Sequence, residues 1–308
     1  MADKSTKSSR QPLTNDARLE VTRELQNFML TEIARRADAE GIDAGLVFHG
    51  GTSLSIIHGT KRSSEDLDFM GSPDAVTRIF AHSVQIEAAM RMRASLEWPG
   101  ARIDLVRKAQ GREPELGDVV RMMLRWEHPG HYGAIRVKVE FYLTPQDRLD
   151  RYLSQRQAIA GDVSRGLIRA ALPVSIWGDK IVAMAQRPAL KHRDIHDLGV
   201  LSRMVPAQAD RKAALLASMG IYGRAPHEIR DGLQRDFVLA GDTDFEGFSE
   251  DMSRWFGAEH VLRIRANGDL ERLFEAFLDQ AALGRALVAD LAPDVEVRHE
   301  DEVDGCGM

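Results

Sequence analysis

The stretch from Phe48 to Phe69 constrains this chain more than any other, because it reads as a strand, a diglycine turn, a short helix, a basic turn and a second strand. Leu46, Val47 and Phe48 are strand formers, and Gly50 and Gly51 permit backbone conformations with φ > 0. Thr52 or Ser53 is a candidate cap for a helix that would bury Leu54, Ile56 and Ile57. A helix N-terminus behind two glycines can take an anion. In Asp66-Leu67-Asp68-Phe69 alternate residues share a strand face, so Asp66 and Asp68 point one way while Leu67 and Phe69 enter the core. Two like charges on adjacent same-face positions repel, which calls for a cation between them. Mg²⁺ takes oxygen ligands, usually one or two carboxylates together with substrate phosphates. A phosphate cradle beside a carboxylate pair is the arrangement nucleotide chemistry needs. An isolated Asp-x-Asp is most often solvated surface; the order of diglycine, hydroxyls, apolar helix and acid pair is what makes the pattern specific.

Length and composition set wider bounds. With 308 residues the chain can bury a sizeable core and hold two domains. Hydrophobic and charged fractions of 44% and 29% are those of an ordinary globular protein. No apolar run is long enough to span a bilayer and Met1 to Arg10 is polar throughout, so a cytoplasmic protein without signal peptide or membrane span is expected. Cys306 is the single cysteine, which excludes an internal disulfide and a cysteine-based metal site. A net charge of −6 argues against a generic nucleic-acid coat and leaves room for a local basic surface.

Residues 1–14 are polar and lack apolar periodicity, as in a disordered tail. Leu19, Val21, Leu25, Phe28, Met29, Ile33 and Ala34 then recur at helical spacing, predicting a helix from Asn15, its candidate N-cap, to Ala39, ended by Gly41. Beyond Phe69, a helix is expected from Asp74 to Met92 and a short strand from Ala101 to Val106. Val119 to Trp126 and Ala134 to Leu143 are strand-like segments separated by Pro129, Gly130 and Gly133, hence an antiparallel hairpin. Ile135, Val137, Val139 and Phe141 would form its apolar face, and Arg136, Lys138 and Glu140 the polar one. Such a polar face is often only the wet side of a sheet. Two-metal phosphoryl chemistry nevertheless needs a further carboxylate on a neighbouring strand, to bind the second ion and help deprotonate the attacking hydroxyl. Glu140 is the best-placed acid, and Asp104 competes with it.

After Pro145 strand signals fade and helices dominate, which places a domain boundary between 145 and 165. Val174 to Arg187 is an amphipathic helix on which Lys180 and Arg187 share a face. Asp194 and Asp197 share a face of the next helix. These four form either an ion-pair lattice between neighbouring helices or a site in which Lys180 contacts a triphosphate and the acids orient it. Further helices are expected near Ala207 to Met219, His227 to Leu239, Phe245 to Phe256 and Asp269 to Leu291. The histidines show no metal-ligand spacing; His192 and His196 lack the glutamate of a zinc-protease motif. Pro293 to Met308 reads as a flexible acidic tail.

The run Gly50-Gly51-Thr52-Ser53-Leu54, then Arg62 to Phe69, Asp179-Lys180 and Lys191 to Leu198 resembles the AbiEii/AbiGii-type (MenT-like) nucleotidyltransferase toxins of the polymerase-β-like superfamily. The resemblance covers about residues 20 to 205. It implies an α+β fold: a mixed-sheet nucleotidyltransferase domain over 15–150, then a helical domain over 151–292 that completes the active site. It also implies Mg²⁺-dependent transfer of nucleotides from an NTP, with two ions. Toxins of this group modify the tRNA acceptor end, act in toxin–antitoxin or abortive-infection systems, and are neutralised by a winged-helix antitoxin from the same operon. Carried over, Asp66 and Asp68 are the metal-binding acids, and Gly50, Gly51 and Ser53 the phosphate loop. Lys180 is the lysine of the second motif, and Asp194 or Asp197 the acid of the third. Thr52, Arg62 and Arg187 complete the expected nucleotide contacts; Glu140, as a third metal ligand, comes from strand facing.

Three functions fit these residues. The first is transfer to an RNA 3′ end, and the second is transfer to a protein or small-molecule hydroxyl. The third is nucleotide binding without catalysis, against which the intact Asp66, Asp68 and Lys180 argue. Arg121, Arg125, Arg136 and Lys138, with Arg148, Arg151, Arg156 and Arg165, are candidate contacts for an RNA backbone.

Overall fold

The computed structural model describes residues 10–108, 111–159, 166–235 and 245–292. The first nine residues, Arg165, the predicted helix beyond Arg235, and the acidic tail with Cys306 lie outside the described residues. Gln11–Pro12 (β1) already pairs with His131–Tyr132, and Gln11 N donates to the Gly130 carbonyl at 3.1 Å, so the expected disordered tail does not extend to residue 14.

Thr14, not Asn15, caps the first helix, its hydroxyl accepting from Ala17 N. This helix, Asn15–Ala39 (α1), buries Leu25, Met29, Leu30 and Ile33 and gives way to Gly41 at φ +65°. Leu46–His49 (β2), Gly50–Ile56 (α2) and Asp66–Gly71 (β3) follow as the sequence indicates, although α2 starts earlier than expected. His49 occupies its N-cap position, so neither Thr52 nor Ser53 caps it. The single helix expected after β3 is two, Pro73–Ala81 (α3) and Ser83–Glu97 (α4), broken at His82, which leaves helical geometry and meets Glu40 at 3.0 Å.

Arg102–Arg107 (β4), Val119–Glu127 (β5), His131–Tyr132 (β6) and Ile135–Leu143 (β7) come next, with β5 and β7 antiparallel. After Gln146–Arg151 (α5) two strands appear that the sequence did not announce, Ser154–Ala158 (β8) and Leu167–Ala171 (β9). β8 is a polar edge strand and shows no apolar alternation, while β9 is too short for a periodic signal. Both join the seven-stranded mixed sheet of order β4-β5-β7-β3-β2-β9-β8. The expected division at residue 150 therefore cuts the sheet, and we propose a division after β9.

The rest is helical: Pro173–Gln186 (α6), His192–Met204 (α7), Arg211–Ile221 (α8), Pro226–Leu233 (α9), Phe245–Met252 (α10), Ala258–Ala266 (α11) and Asp269–Leu291 (α12). Among these, α11 has no counterpart in the helices expected from the sequence.

Strand alternation separates two cores. Phe48, Phe69 and Phe141 lie on one sheet face, with ring centroids 5.2 and 5.1 Å apart, beneath α1, α3 and α4. Val47 and Met70 face the other way, into the core built by Ile176, Trp177 and Ile181 of α6. On that second face the helices cover only part of the sheet, and the polar ends of β2, β3 and β7 border an open cleft.

Candidate active site

Parallel pairing of β3 with β7 aligns Asp66 with Lys138 and Asp68 with Glu140, and β2 sets His49 beside Asp68 from the other side. The hairpin thus delivers Glu140 to the acid pair by register alone. The cleft between this edge and α6 is lined by Gly50, Asp66, Asp68, Glu140, Lys180 and Arg187, joined by Arg193 and Tyr222. Gly50 has φ +75°, and a Cβ there would lie 2.6 Å from Asp68 Oδ2. Its bareness is what lets the carboxylate stand against the first turn of α2. No side chain caps that turn, so Gly50 and Gly51 present backbone to the cleft.

Burial pushes both aspartates above the ordinary carboxylate value. For Asp66 the Lys138 ammonium, 3.3 Å away, works against burial, while Asp68 and Glu140 add repulsion. For Asp68 the opposing charges are His49, Lys180 and Arg193. Glu140 is held differently: Arg121 Nε donates to its Oε1 at 2.7 Å. Among the described residues no three ligating side chains are gathered closely enough to hold a metal ion. The expected triad of Asp66, Asp68 and Glu140 is thus an acid pair with a neighbour engaged by arginine.

Opposite the acids lies a buried ion network. Lys180 Nζ stands 2.8 Å from Asp194 Oδ1 and 2.6 Å from Asp197 Oδ2. Arg187 pairs with Asp194, and Arg62 forks onto both oxygens of Asp197. Burial lowers Lys180 and would raise Asp197, but the Arg62 and Lys180 cations overcome it and hold Asp197 well below the carboxylate range. Asp179 ties this side to the sheet: it accepts from Tyr152 Oη at 2.5 Å and Ser218 Oγ at 2.8 Å and lies 3.4 Å from His49 Nδ1.

A family model described as nucleotidyl transferase AbiEii toxin, type IV TA system, matches residues 33–291. The chain belongs to the AbiEii family. It is therefore a nucleotidyltransferase, of a family of toxins from type IV toxin–antitoxin systems. Among solved structures, JHP933 from Helicobacter pylori aligns over 88% of this chain and 94% of its own, at 17% identity and TM-score 0.44. A second H. pylori protein, solved as a candidate nucleotidyltransferase, aligns over 91% and 99%, at 17% identity and TM-score 0.47. No curated protein matches. Among the described residues no helix is long and apolar enough to cross a membrane.

Several residues of this AbiEii chain sit elsewhere than sequence reading placed them. Thr52 and Ser53 are buried and do not line the cleft. Thr52 Oγ1 donates to the Asp66 carbonyl and so stitches α2 to β3. Arg62, expected at the nucleotide, reaches the cleft but is 2% exposed and spends its fork on Asp197. Asp194 and Asp197 lie behind Lys180, outside the lining. Two of the three Lys180 protons are taken by these acids, which leaves one for the cleft. Asp104 is three strands from Asp66, pairs with Arg102 and Arg91, and does not border the cleft.

Of the expected RNA contacts, Arg121 is paired with Glu140, Arg125 with Glu127, Arg151 with Asp147 and Arg156 with Asp38. His49, Asp179, Arg193 and Tyr222 also line the cleft and lie outside the expected site set. His49 is legible from alternation with Phe48, Arg193 from its place in Lys191-His192-Arg193-Asp194, and Asp179 as the neighbour of Lys180. Tyr222 carries no local signal, because only the packing of α8 against α6 brings it near.

Proposed function

We propose that this nucleotidyltransferase transfers a nucleotide from an NTP to an RNA 3′ end, the tRNA acceptor end being favoured. In this reading it is the cytoplasmic toxin of a type IV pair, restrained by a winged-helix antitoxin. The observation that carries the reaction type is the strand register that lines up Asp66, Asp68 and Glu140 along one wall, facing Lys180, Arg187 and Arg193 across the cleft.

The acid pair suits a hard divalent cation: both carboxylates are pushed up by burial and crowding, and a bound ion would relieve both. Asp66 and Asp68 would hold it, and Mg²⁺ when bound would supply charge neutralisation for the triphosphate. A second ion would need Glu140 released from Arg121. Arg187, Arg193 and the remaining Lys180 proton are suited to bind the triphosphate oxygens and to keep hold of the departing pyrophosphate. The uncapped first turn at Gly50–Gly51 offers backbone N–H groups to a phosphate in the cleft. As the acceptor hydroxyl bonds to the α-phosphorus and the bond to pyrophosphate breaks, Glu140 takes the hydroxyl proton.

The test is incubation with each α-labelled NTP, Mg²⁺ and total RNA plus cell protein, with chelator as control. Label on RNA that disappears with chelator is expected. Label on protein or on a small molecule would replace the RNA reading, and labelling that survives chelation would remove the metal.

A further inference from the structure

Two more cavities adjoin the acid cleft and run into each other. One shares Ser64 and Asp66 with the cleft and is lined by Arg18, Arg136, Lys138, Arg254 and Trp255. The other, about 660 Å³, shares Arg193 with the cleft and Arg18, Arg254 and Trp255 with its neighbour, and adds Lys191 and His192. Its volume is in the range of about 300–1,000 Å³ that ligand cavities occupy. On a chain of net charge −6 this path is basic: its six lysines and arginines outnumber the carboxylates Glu65, Asp66 and Asp251.

Lys191 is exposed in that crowd, and its ammonium is pushed down first by Arg193, then by burial, Arg187 and Lys138. Arg136, Lys191 and Arg193 have no carboxylate at ion-pair distance among the described residues. Trp255 stands where the two cavities meet, and it is held there. Arg62 stacks on its ring at 5.6 Å, its indole N–H donates to Asp251 at 3.4 Å, and its carbonyl accepts from Ser63 N at 2.9 Å.

Arg254 meets Asp251 and Lys138 meets Asp66, each at 3.3 Å, and both cations still line the cavity. Fixed aromatic surface among accessible cations is what a single-stranded nucleic acid meets on a protein: bases stack on the ring and phosphates lie on the basic side chains. A duplex end keeps its bases stacked inside and offers none to a tryptophan. We propose that this path seats the 3′-terminal nucleotides of a single-stranded RNA acceptor, with one base on Trp255 and its phosphates on Arg18, Arg136 and Arg254. Trp255 is then a specificity-determining residue that selects unpaired ends over paired ones. The inference rests on the reading that the acceptor is RNA.

The full chain is titrated against a fluorescent eight-nucleotide RNA, as single strand and as blunt duplex, with binding of a fluorescent NTP analogue as the control. The single strand is expected to bind more tightly than the duplex. Trp255→Ala should weaken it by about five- to a hundredfold, the range of one lost base–aromatic stack, with Trp255→Phe restoring most of the loss. Arg18→Ala/Arg254→Ala, altered at two exposed positions, should flatten the slope of log K against log salt by about 0.7 per lost contact. NTP binding should be unchanged in that double variant. A protein that labels RNA, while the tryptophan and arginine variants bind it as the unaltered chain does, overturns the path alone; so does a duplex bound as tightly as the single strand. An unaltered chain that binds neither RNA overturns the path together with the RNA reading.

Discussion

Arg62 donates to both oxygens of Asp197, at 2.8 and 2.9 Å, across 135 residues of chain. Each side chain is 2% exposed. This pair changes the meaning of the diglycine: a Cβ on Gly51 would collide with the Arg62 guanidinium, so the second glycine serves an ion pair between the two halves of the molecule. The first serves Asp68.

Breaking that pair should be costly, because the remaining charge stays buried without its partner. Arg62→Ala should lower the unfolding free energy by about 3–5 kcal/mol in urea titration. A loss below about 1 kcal/mol would mean that water reaches Asp197 and takes the place of the arginine.

The same network should fail in acid. Asp197 is held well below its ordinary value in the folded chain, so its stabilisation is complete above about pH 4, where the unfolded carboxyl titrates, and is lost as pH falls through the lower folded value. Stability curves of the unaltered protein and Asp197→Asn should converge below that pH. Curves that stay parallel would place the acid sensitivity elsewhere.

Gly50→Ala combines a positive φ with a Cβ 2.6 Å from Asp68 Oδ2. Backbone strain of this kind costs about 1–3 kcal/mol. Transfer should drop further than stability does, by about a hundredfold, since the displaced group is Asp68 itself. Normal kcat/KM in a folded variant would show that Asp68 can move without consequence.

Asp68→Asn should abolish transfer and leave stability at pH 7 equal or higher. The carboxyl is raised above its usual value by burial, so its ionised form opposes folding near neutrality and the neutral amide does not. Marked destabilisation in urea would reveal a structural role for the charge.

Glu140→Gln should keep the KM for NTP close to that of the unaltered enzyme and reduce kcat by about 10²–10⁴, the usual worth of a positioned proton acceptor. Loss of NTP affinity with kcat retained would reassign Glu140 to binding.

Much of this was legible along the chain, and for a definite reason. Alternation in Asp66-Leu67-Asp68-Phe69 and in Ile135 to Leu143 is a local property, so the buried phenylalanines and the shared polar face could be assigned before any strand was paired. The spacing of Lys180 with Arg187 and of Asp194 with Asp197 is equally local to a helix. What those charges do depends on neighbours far away in sequence. Only folding shows that Asp197 faces Arg62, that Glu140 is taken by Arg121, that Asp104 lies three strands from Asp66, and that β8 and β9 complete the sheet after Pro145. A carboxylate beside a cleft looks the same in sequence whether its partner is an arginine, a metal ion or water. Its partner is set by long-range contacts and burial, which no local periodicity encodes.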